Sequence, residues 1–365
     1  MKSTRLLSPA EFSARALPLS PRLRLVVGLV VLVALAVMPL RSTTGTNFNL
    51  SMVFVYVVVG VGLNLLTGNM GQISLGHGAF FALGAYSTAL ILRDTTWGLA
   101  VAILVAGLSC FVLGFLFGLP ALRLVGLQLA LATLALAIIT PAVIKRFDDI
   151  TRGQEGMLVL TPVAPESWGL DQDQWVYYIC FACAVLAYAV GSRLTSNVVG
   201  RSLTGIRDNE VAAATLGVDS TRVKTSVFGL SAGFAGVGGA LYALAVGFIA
   251  PEAFGLSLAI AFLTLVVVGG MGAPSGVVFG AIFIQYVPSL TAEISLGLAG
   301  LTYGLTLMLC IAVLPLGLLG LVRRHLGPVF DQLGRRSSTP TGVGPPADGP
   351  TGGSTSMVVS PDART

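Results

Sequence analysis

The chain has 365 residues, of which 55% are hydrophobic, and its formal net charge is +5. Charged residues make up only 10% of it, against about 25% in an average soluble domain, which excludes a water-soluble globular protein. The small positive charge gives no reason to expect nucleic-acid binding, which needs clustered basic faces. The composition indicates a helical protein that crosses a membrane several times.

The N-terminal part predicts a first membrane span and then a pair of spans. Residues 1–24 are basic and rich in Ser and Pro, and the apolar stretch 25–40 follows them. This order resembles a signal peptide, but no small-residue cleavage pattern follows, so we interpret residues 25–40 as an uncleaved span. Residues 42–92 contain no charged side chain. They predict two spans separated by a glycine-rich break at residues 67–78.

The remaining apolar stretches predict the other spans. They are residues 98–119, 124–144, 174–191, 225–247, 257–270, 276–290 and 297–322. Several are short for a hydrocarbon core about 30 Å thick, so we expect about eight to ten spans, some of them broken or re-entrant. The predicted fold class is all-α, a polytopic transmembrane helical bundle over residues 25–322.

The basic residues indicate how the spans are oriented. If the spans alternate from a cytoplasmic start, most of the 21 Lys and Arg residues lie on the cytoplasmic side. The exceptions are Arg41, Arg93, Lys145, Arg146 and Arg152. Both termini are then cytoplasmic, which makes residues 1–24 a basic cytoplasmic segment and 327–365 a disordered cytoplasmic tail. Segment 193–224 is also cytoplasmic, whereas residues 145–173 form an extracytoplasmic loop.

A short helix is predicted within the cytoplasmic segment, at residues 208–216. Asp208 is the expected N-cap, Glu210 adds negative charge to the first turn, and Gly217 supplies the left-handed residue that ends a helix. Such a helix is about 12 Å long and is not stable alone in water. We therefore expect it to pack against its flanking spans or against a partner protein.

The break at residues 67–78 combines glycines with uncharged polar side chains. Backbone groups freed at membrane depth must face protein or a water-filled cavity. Because Asn64, Gln72, Ser74 and His77 carry hydrogen-bonding side chains, they are candidates for the lining of a translocation pathway. The alternative is that they hydrogen-bond between helices, which we favour for His77 and leave open for Gln72 and Ser74.

A second glycine break and a run of small residues complete the pattern. Residues 269–275 repeat the Gly, Met, Gly and Ser of residues 68–74 in register, which predicts two halves built alike unless the repeat is chance. Between residues 229 and 243, Gly and Ala recur four positions apart. This spacing predicts close packing against another helix.

The sequence contains no pattern typical of an enzyme active site. None of Lys2, Lys145 and Lys224 stands in a phosphate-binding glycine loop, and His77 and His325 cannot build a catalytic triad or a metal cluster. We therefore predict no catalytic residue, no metal and no cofactor on this chain. The rival function is an ion-coupled secondary transporter or a channel, but such proteins usually bury an ionisable residue in a span, and the predicted spans contain none.

Several blocks of sequence resemble the branched-chain amino acid ABC transporter permease family, in particular its LivM-like subunit. They are residues 62–68, 71–81, 84–86, 122–135, 151–156, 239–243, 251–252, 268–272 and 303–304. Three positions depart from the family pattern: Val125 stands in place of a basic residue, Gln128 in place of an aromatic one, and Thr151-Arg152-Gly153-Gln154-Glu155-Gly156 in place of Thr-Gly-Gly-x-Asn-Gly.

The cytoplasmic segment is similar to the coupling loop of such permeases. The family loop carries Glu-Ala-Ala, three residues and Gly, and here Glu210, Ala213 and Gly217 fall in that pattern, with the Glu one residue further off. The resemblance implies that this loop docks on an ATPase. We predict Arg207 and Asp208 as further docking contacts, with a solvated face held by local ion pairs as the alternative.

The resemblance also implies the rest of the transport system. A second related permease subunit, two cytoplasmic ATPase subunits that bind ATP and Mg, and an extracytoplasmic solute-binding protein are the expected partners. The expected location is the bacterial plasma membrane. The expected solute is a branched-chain or related amino acid, and urea or short amides are the alternative, because the same break residues would serve them.

Overall fold

The structure is a computed structural model. It describes residues 21–121, 124, 126–165, 169–294, 304, 308, 317, 318 and 320. Most of the basic N-terminal segment, Val125, most of the span predicted at residues 297–322 and the tail predicted at 327–365 lie outside the described residues.

Helices make up almost all of the described chain. The α-helices are α1 (Pro21–Val37), α2 (Thr44–Asn64), α3 (His77–Asp94), α4 (Leu99–Ala121), α5 (Leu127–Arg146), α6 (Asp148–Thr151), α7 (Gln172–Ser196), α8 (Val198–Asp208), α9 (Glu210–Thr215), α10 (Ser220–Val246), α11 (Leu256–Gly269) and α12 (Pro274–Ile294). A π-helical turn covers Leu65–Asn69, and 3-10 turns cover Met38–Leu40, Gly153–Glu155 and Pro251–Phe254. The two strands are β1 (Met157–Leu158) and β2 (Phe248–Ile249).

The helices confirm the predicted all-α bundle. Among the described residues, five helices are long and apolar enough to cross a membrane: α2 with its π-helical turn, α4, α5, α7 and α10. Shorter apolar helices cover Val26–Leu40, α11 and Pro274–Leu290. The stretch at residues 42–92 forms two helices, α2 and α3, as predicted.

Two helices form the centre of the bundle. The most apolar window of α2 is 89% buried and that of α10 is 78% buried, against 22% for α4, 33% for α5 and 28% for α7. The less buried helices therefore surround the central pair and turn most of their apolar side chains outward. Such faces suit lipid or another membrane subunit.

The small residues of α10 let its neighbours approach closely. A side chain on Gly236 would meet the Cys110 sulfur of α4 at 2.5 Å, and one on Gly239 would meet the carbonyl of Phe81 in α3. Gly84 of α3 lies against the backbone of Gly236 in the same way. The close packing predicted from the spacing of Gly and Ala is thereby confirmed.

The region predicted as an extracytoplasmic loop folds back on the end of α10. β1 pairs antiparallel with β2, with Met157 opposite Ile249. Arg152 precedes this strand and adopts a left-handed backbone conformation with φ of 59°. Lys145 and Glu252 connect the ends of α5 and the 3-10 turn before α11 through an ion pair of 2.7 Å.

Candidate functional site

The predicted break between α2 and α3 begins as a π-helical turn. Helix α2 widens at Leu65–Asn69, and residues 70–76 are not helical. Gly71 turns the chain with φ of 75°, a conformation that glycine adopts without a steric penalty. Single π-turns within helices are frequent at functional sites. The break is therefore a defined element of the fold, a π-helical turn followed by a non-helical segment.

The two glycine breaks lie against each other. The backbone N–H of Gly272 donates to the Asn64 side-chain oxygen over 2.8 Å, and a side chain on Gly68 would meet the backbone of Gly272. Gly71 and Gly272, which occupy matching positions in the repeated sequence, have similar φ values of 75° and 86°. Asn64 thus holds the second break to the end of α2.

His77, at the start of α3, bonds to side chains on both sides. Its Nε2 lies 2.6 Å from the Ser231 hydroxyl of α10, and its Nδ1 lies 3.1 Å from the Ser74 hydroxyl in the break. All three side chains are at most 1% exposed. His77 therefore makes the interhelical hydrogen bond that we favoured, and Ser74 belongs to the same chain of bonds.

Two other side chains of the break offer polar atoms. Gln72 is half-buried, while its backbone N–H donates to the Leu66 carbonyl over 3.1 Å. The Thr67 hydroxyl is buried and has no hydrogen-bond partner among the described residues. Sequence reasoning placed Thr67 in the break but did not single it out. A buried hydroxyl without a partner is costly unless water or a ligand satisfies it.

The segment predicted to be cytoplasmic, residues 193–224, is more helical than the sequence suggested, and its predicted N-cap was wrong. Asp208 is the last residue of α8, and Asn209 leaves the helical conformation. The Asn209 side-chain oxygen accepts from the Ala212 backbone N–H over 3.0 Å and so caps α9. Gly217 follows α9 with φ of 85°, as predicted.

The charged residues of the segment pair within the chain. Arg207 lies 3.2 Å from Asp208 and also donates to the Gly68 carbonyl over 3.0 Å. Glu210 lies 2.6 Å from Lys224 of α10, whose side chain is only 11% exposed. These contacts join α8 and α9 to the membrane bundle. Docking of Arg207, Asp208 or Glu210 on an ATPase stays a prediction.

Two large apolar side chains of this segment, Val211 in α9 and Leu216 directly after it, are exposed. Val211 is 75% exposed and Leu216 is 85% exposed, whereas Ala213 between them is buried. Sequence reasoning missed both residues because it looked for charges. The available signal was two large apolar side chains in a segment predicted to lie in water. Both side chains are free to contact a partner.

Within the described ranges, no three His, Cys, Asp or Glu side chains lie close enough together to hold a metal ion. At the opposite end of the bundle, a hydrogen bond from the Lys145 ammonium lowers the pKa of the Glu252 carboxyl.

Known proteins resemble most of the chain. Residues 46–314 match the family described as branched-chain amino acid transport system, permease component. The chain is 33% identical over 245 residues to the high-affinity branched-chain amino acid transport system permease protein LivM of Escherichia coli K12, a match covering 61% of this chain and 58% of that protein. It is 32% identical over 247 residues to LivM of Salmonella typhimurium, with the same coverage.

A second type of relative covers the chain more weakly. The LivH permease protein of the same transport system from Salmonella typhimurium is 24% identical over 274 residues, or 70% of this chain and 88% of that protein. No solved structure gives a significant match. The chain spans 58% of the length of the LivM proteins that it matches. Because the family match extends over residues 46–314, the chain belongs to the branched-chain amino acid transport permease family.

Proposed function

We propose that the chain is the membrane-spanning permease subunit of an ABC importer in the bacterial plasma membrane, with both termini in the cytoplasm. It moves branched-chain or related amino acids inward and pairs with a second, related permease subunit. Two cytoplasmic ATPase subunits bind ATP and Mg and supply the energy, and an extracytoplasmic binding protein delivers the solute. Family membership and the relatives named as permease proteins of one transport system support this proposal.

The observation that carries the proposal is the shape of the cytoplasmic segment. Val211 of α9 and Leu216, which directly follows α9, face solvent, while the Glu210–Lys224 ion pair joins α9 to the bundle. Exposed apolar side chains on and beside a short helix suit a groove in a partner, where their burial stabilises the complex. Closure of the ATPase pair then displaces α9, and the tied helices carry the displacement to the breaks.

The glycine breaks form the part of the pathway that moves. Asn64, Ser74 and His77 bond to protein groups around the breaks, so their role is to hold the breaks in one arrangement. Gln72 is half-buried in the break, and the Thr67 hydroxyl is buried with no hydrogen-bond partner among the described residues, so a movement of the break would expose that hydroxyl to solute. In the proposed cycle these two residues contact the passing solute.

The test uses the complete transporter purified with its two ATPases and second permease. Leu216→Asp is expected to remove the ATPases from the purified complex and to reduce ATP-dependent uptake into proteoliposomes at least about tenfold, as loss of a central apolar contact does. Val163→Asp is the matched control, because Val163 is 83% exposed in the predicted extracytoplasmic loop. This variant should retain ATPases and uptake.

Two results would contradict the proposal. Full-rate uptake by the chain alone, without ATPases or ATP, would favour an ion-coupled transporter or a channel. Retained ATPase binding in the Leu216→Asp variant would remove Leu216 from the docking surface. Ligand binding by the purified cognate binding protein distinguishes branched-chain amino acids from urea or short amides.

A further inference from the structure

We propose that Arg207 is a positioning residue that connects the cytoplasmic helices α8 and α9 to both glycine breaks, and that it is not a docking contact. This inference rests on the proposed function, because it names the link through which a displacement of α9 reaches the pathway. Arg207 lies in the last turn of α8, next to the Asn209 cap of α9. It therefore moves with the segment that the ATPases are proposed to push.

The Arg207 side chain reaches back to the break from this position. One guanidinium nitrogen donates to the Gly68 carbonyl over 3.0 Å, although the two residues are 139 positions apart. The guanidinium Nε donates to Asp208 over 3.2 Å. The aliphatic part of Arg207 lies against Gly71, since a side chain on Gly71 would meet its Cγ at 2.7 Å. Arg207 thus contacts the break at two points on either side of Met70.

The Gly68 carbonyl is suited to a cationic partner. It lies in the final π-helical turn of α2, and carbonyls in the last turn of a helix lack an intrahelical N–H partner. Their partial negative charge attracts Arg and Lys side chains. Gly68 also lies against the backbone of Gly272. A movement of Arg207 therefore displaces the backbone at the point where the first and second breaks are in contact.

Exposure separates Arg207 from the charged residues beside it. The Arg207 side chain is 27% exposed, against 57% for Asp208 and 50% for Glu210. Its guanidinium donates to the Gly68 carbonyl in the break and to the side chain of the adjacent Asp208. A residue that docks on a partner would direct its donors outward, whereas Arg207 directs one of them into the membrane bundle.

The test measures the number of ATP molecules hydrolysed per solute imported, using the complete transporter in proteoliposomes. We expect Arg207→Ala to raise this ratio at least about tenfold, the size of effect that follows from losing a hydrogen bond to a charged group. Retention of the ATPases during purification is measured in parallel and is expected to be unchanged. Arg207→Lys should restore part of the coupling, because its ammonium can still donate to a carbonyl.

A second variant disturbs the same contact from the other side. Gly71→Ala places a methyl group against the Arg207 stem and should raise the ratio as Arg207→Ala does. Gly247→Ala is the matched control, because Gly247 has nearly the same φ, 72° against 75°, and nothing lies within 4 Å of the added carbon. This pair separates displacement of Arg207 from the backbone strain of alanine at a positive φ.

Three outcomes would overturn the inference. An unchanged ratio in Arg207→Ala would show that the contact carries no coupling. Loss of the ATPases from that variant would make Arg207 a docking residue. Equal effects of Gly71→Ala and Gly247→Ala would assign the defect to strain. Failure of the proposed function is a separate result, since the unmodified transporter would then import solute without ATP or not at all.

Discussion

Replacing His77 by alanine should release the first glycine break from the two helices that hold it. The substitution removes the hydrogen bonds to Ser231 of α10 and Ser74 in the break and leaves two buried hydroxyls without a partner among the described residues. An interhelical hydrogen bond in a membrane protein contributes about 0.6 kcal/mol on average and up to about 1.7 kcal/mol. An unsatisfied buried polar group costs about 1–3 kcal/mol. We expect His77→Ala to lower the free energy of unfolding by about 2–4 kcal/mol.

A double-mutant cycle isolates the bond between α3 and α10. Ser231→Ala alone removes that bond and leaves His77 its contact with Ser74. The coupling energy between His77 and Ser231 should then be about 0.6–1.7 kcal/mol. Ser87→Ala is the matched control, because the Ser87 hydroxyl donates to the Gly84 carbonyl of its own helix over 3.0 Å. It should change the unfolding free energy by less than about 0.5 kcal/mol.

The measurement is equilibrium unfolding of the purified chain in mixed micelles, followed by the fluorescence of its 3 tryptophans. The midpoint and slope for each variant give the free energies of the cycle. A coupling energy indistinguishable from zero would refute the bond between His77 and Ser231. If Ser87→Ala lowered the free energy of unfolding as much as Ser231→Ala, the interhelical bond would contribute no more than a serine hydroxyl bonded within its own helix.

Further predictions address two ion pairs and one backbone conformation. Glu210→Lys places two cations together at Lys224 and should reduce uptake and transport-coupled ATP hydrolysis while the protein still inserts. Adding Lys224→Glu to this variant should restore both activities. Unchanged uptake in Glu210→Lys alone would exclude the ion pair from transport. Arg152→Gly should leave the thermal midpoint unchanged or raise it, because a left-handed conformation costs residues other than glycine about 1–2 kcal/mol. A lower midpoint would contradict the left-handed conformation of Arg152. The pKa of Glu252 is lowered by Lys145, so its contribution to stability is complete above the ordinary carboxyl pKa and is lost as pH falls through the lowered value. Glu252→Gln should reduce the dependence of the thermal midpoint on pH in that acidic range, and an identical pH profile would exclude the ion pair from stability.

Much of the helical framework follows from the sequence because its signals are local. A run of apolar residues forms a helix in lipid wherever it stands in the chain, since every backbone group must find a partner within the segment. This is why residues 98–119 and 225–247 were placed close to the bounds of α4 and α10. The glycine breaks were found for the same reason, because a cluster of glycines interrupts an apolar run visibly.

Segment 193–224 shows where local signals stop being sufficient. Asp208 and Asn209 are both good N-caps, and sequence alone chose Asp208. In the structure, Leu203 and Ile206 of α8 are buried against the bundle, and this packing extends α8 as far as Asp208. The cap therefore falls one residue later, on Asn209.

The sequence by itself determined the class of protein, its long apolar helices and the glycine breaks, because composition and apolar run length decide how a chain meets a bilayer. Only the tertiary structure decided which groups meet. The bonds from Arg207 to Gly68, from His77 to Ser231 and from Gly272 to Asn64 join residues 139, 154 and 208 positions apart. Such pairs depend on how whole helices pack, and helix packing depends on the shape of every side chain between them.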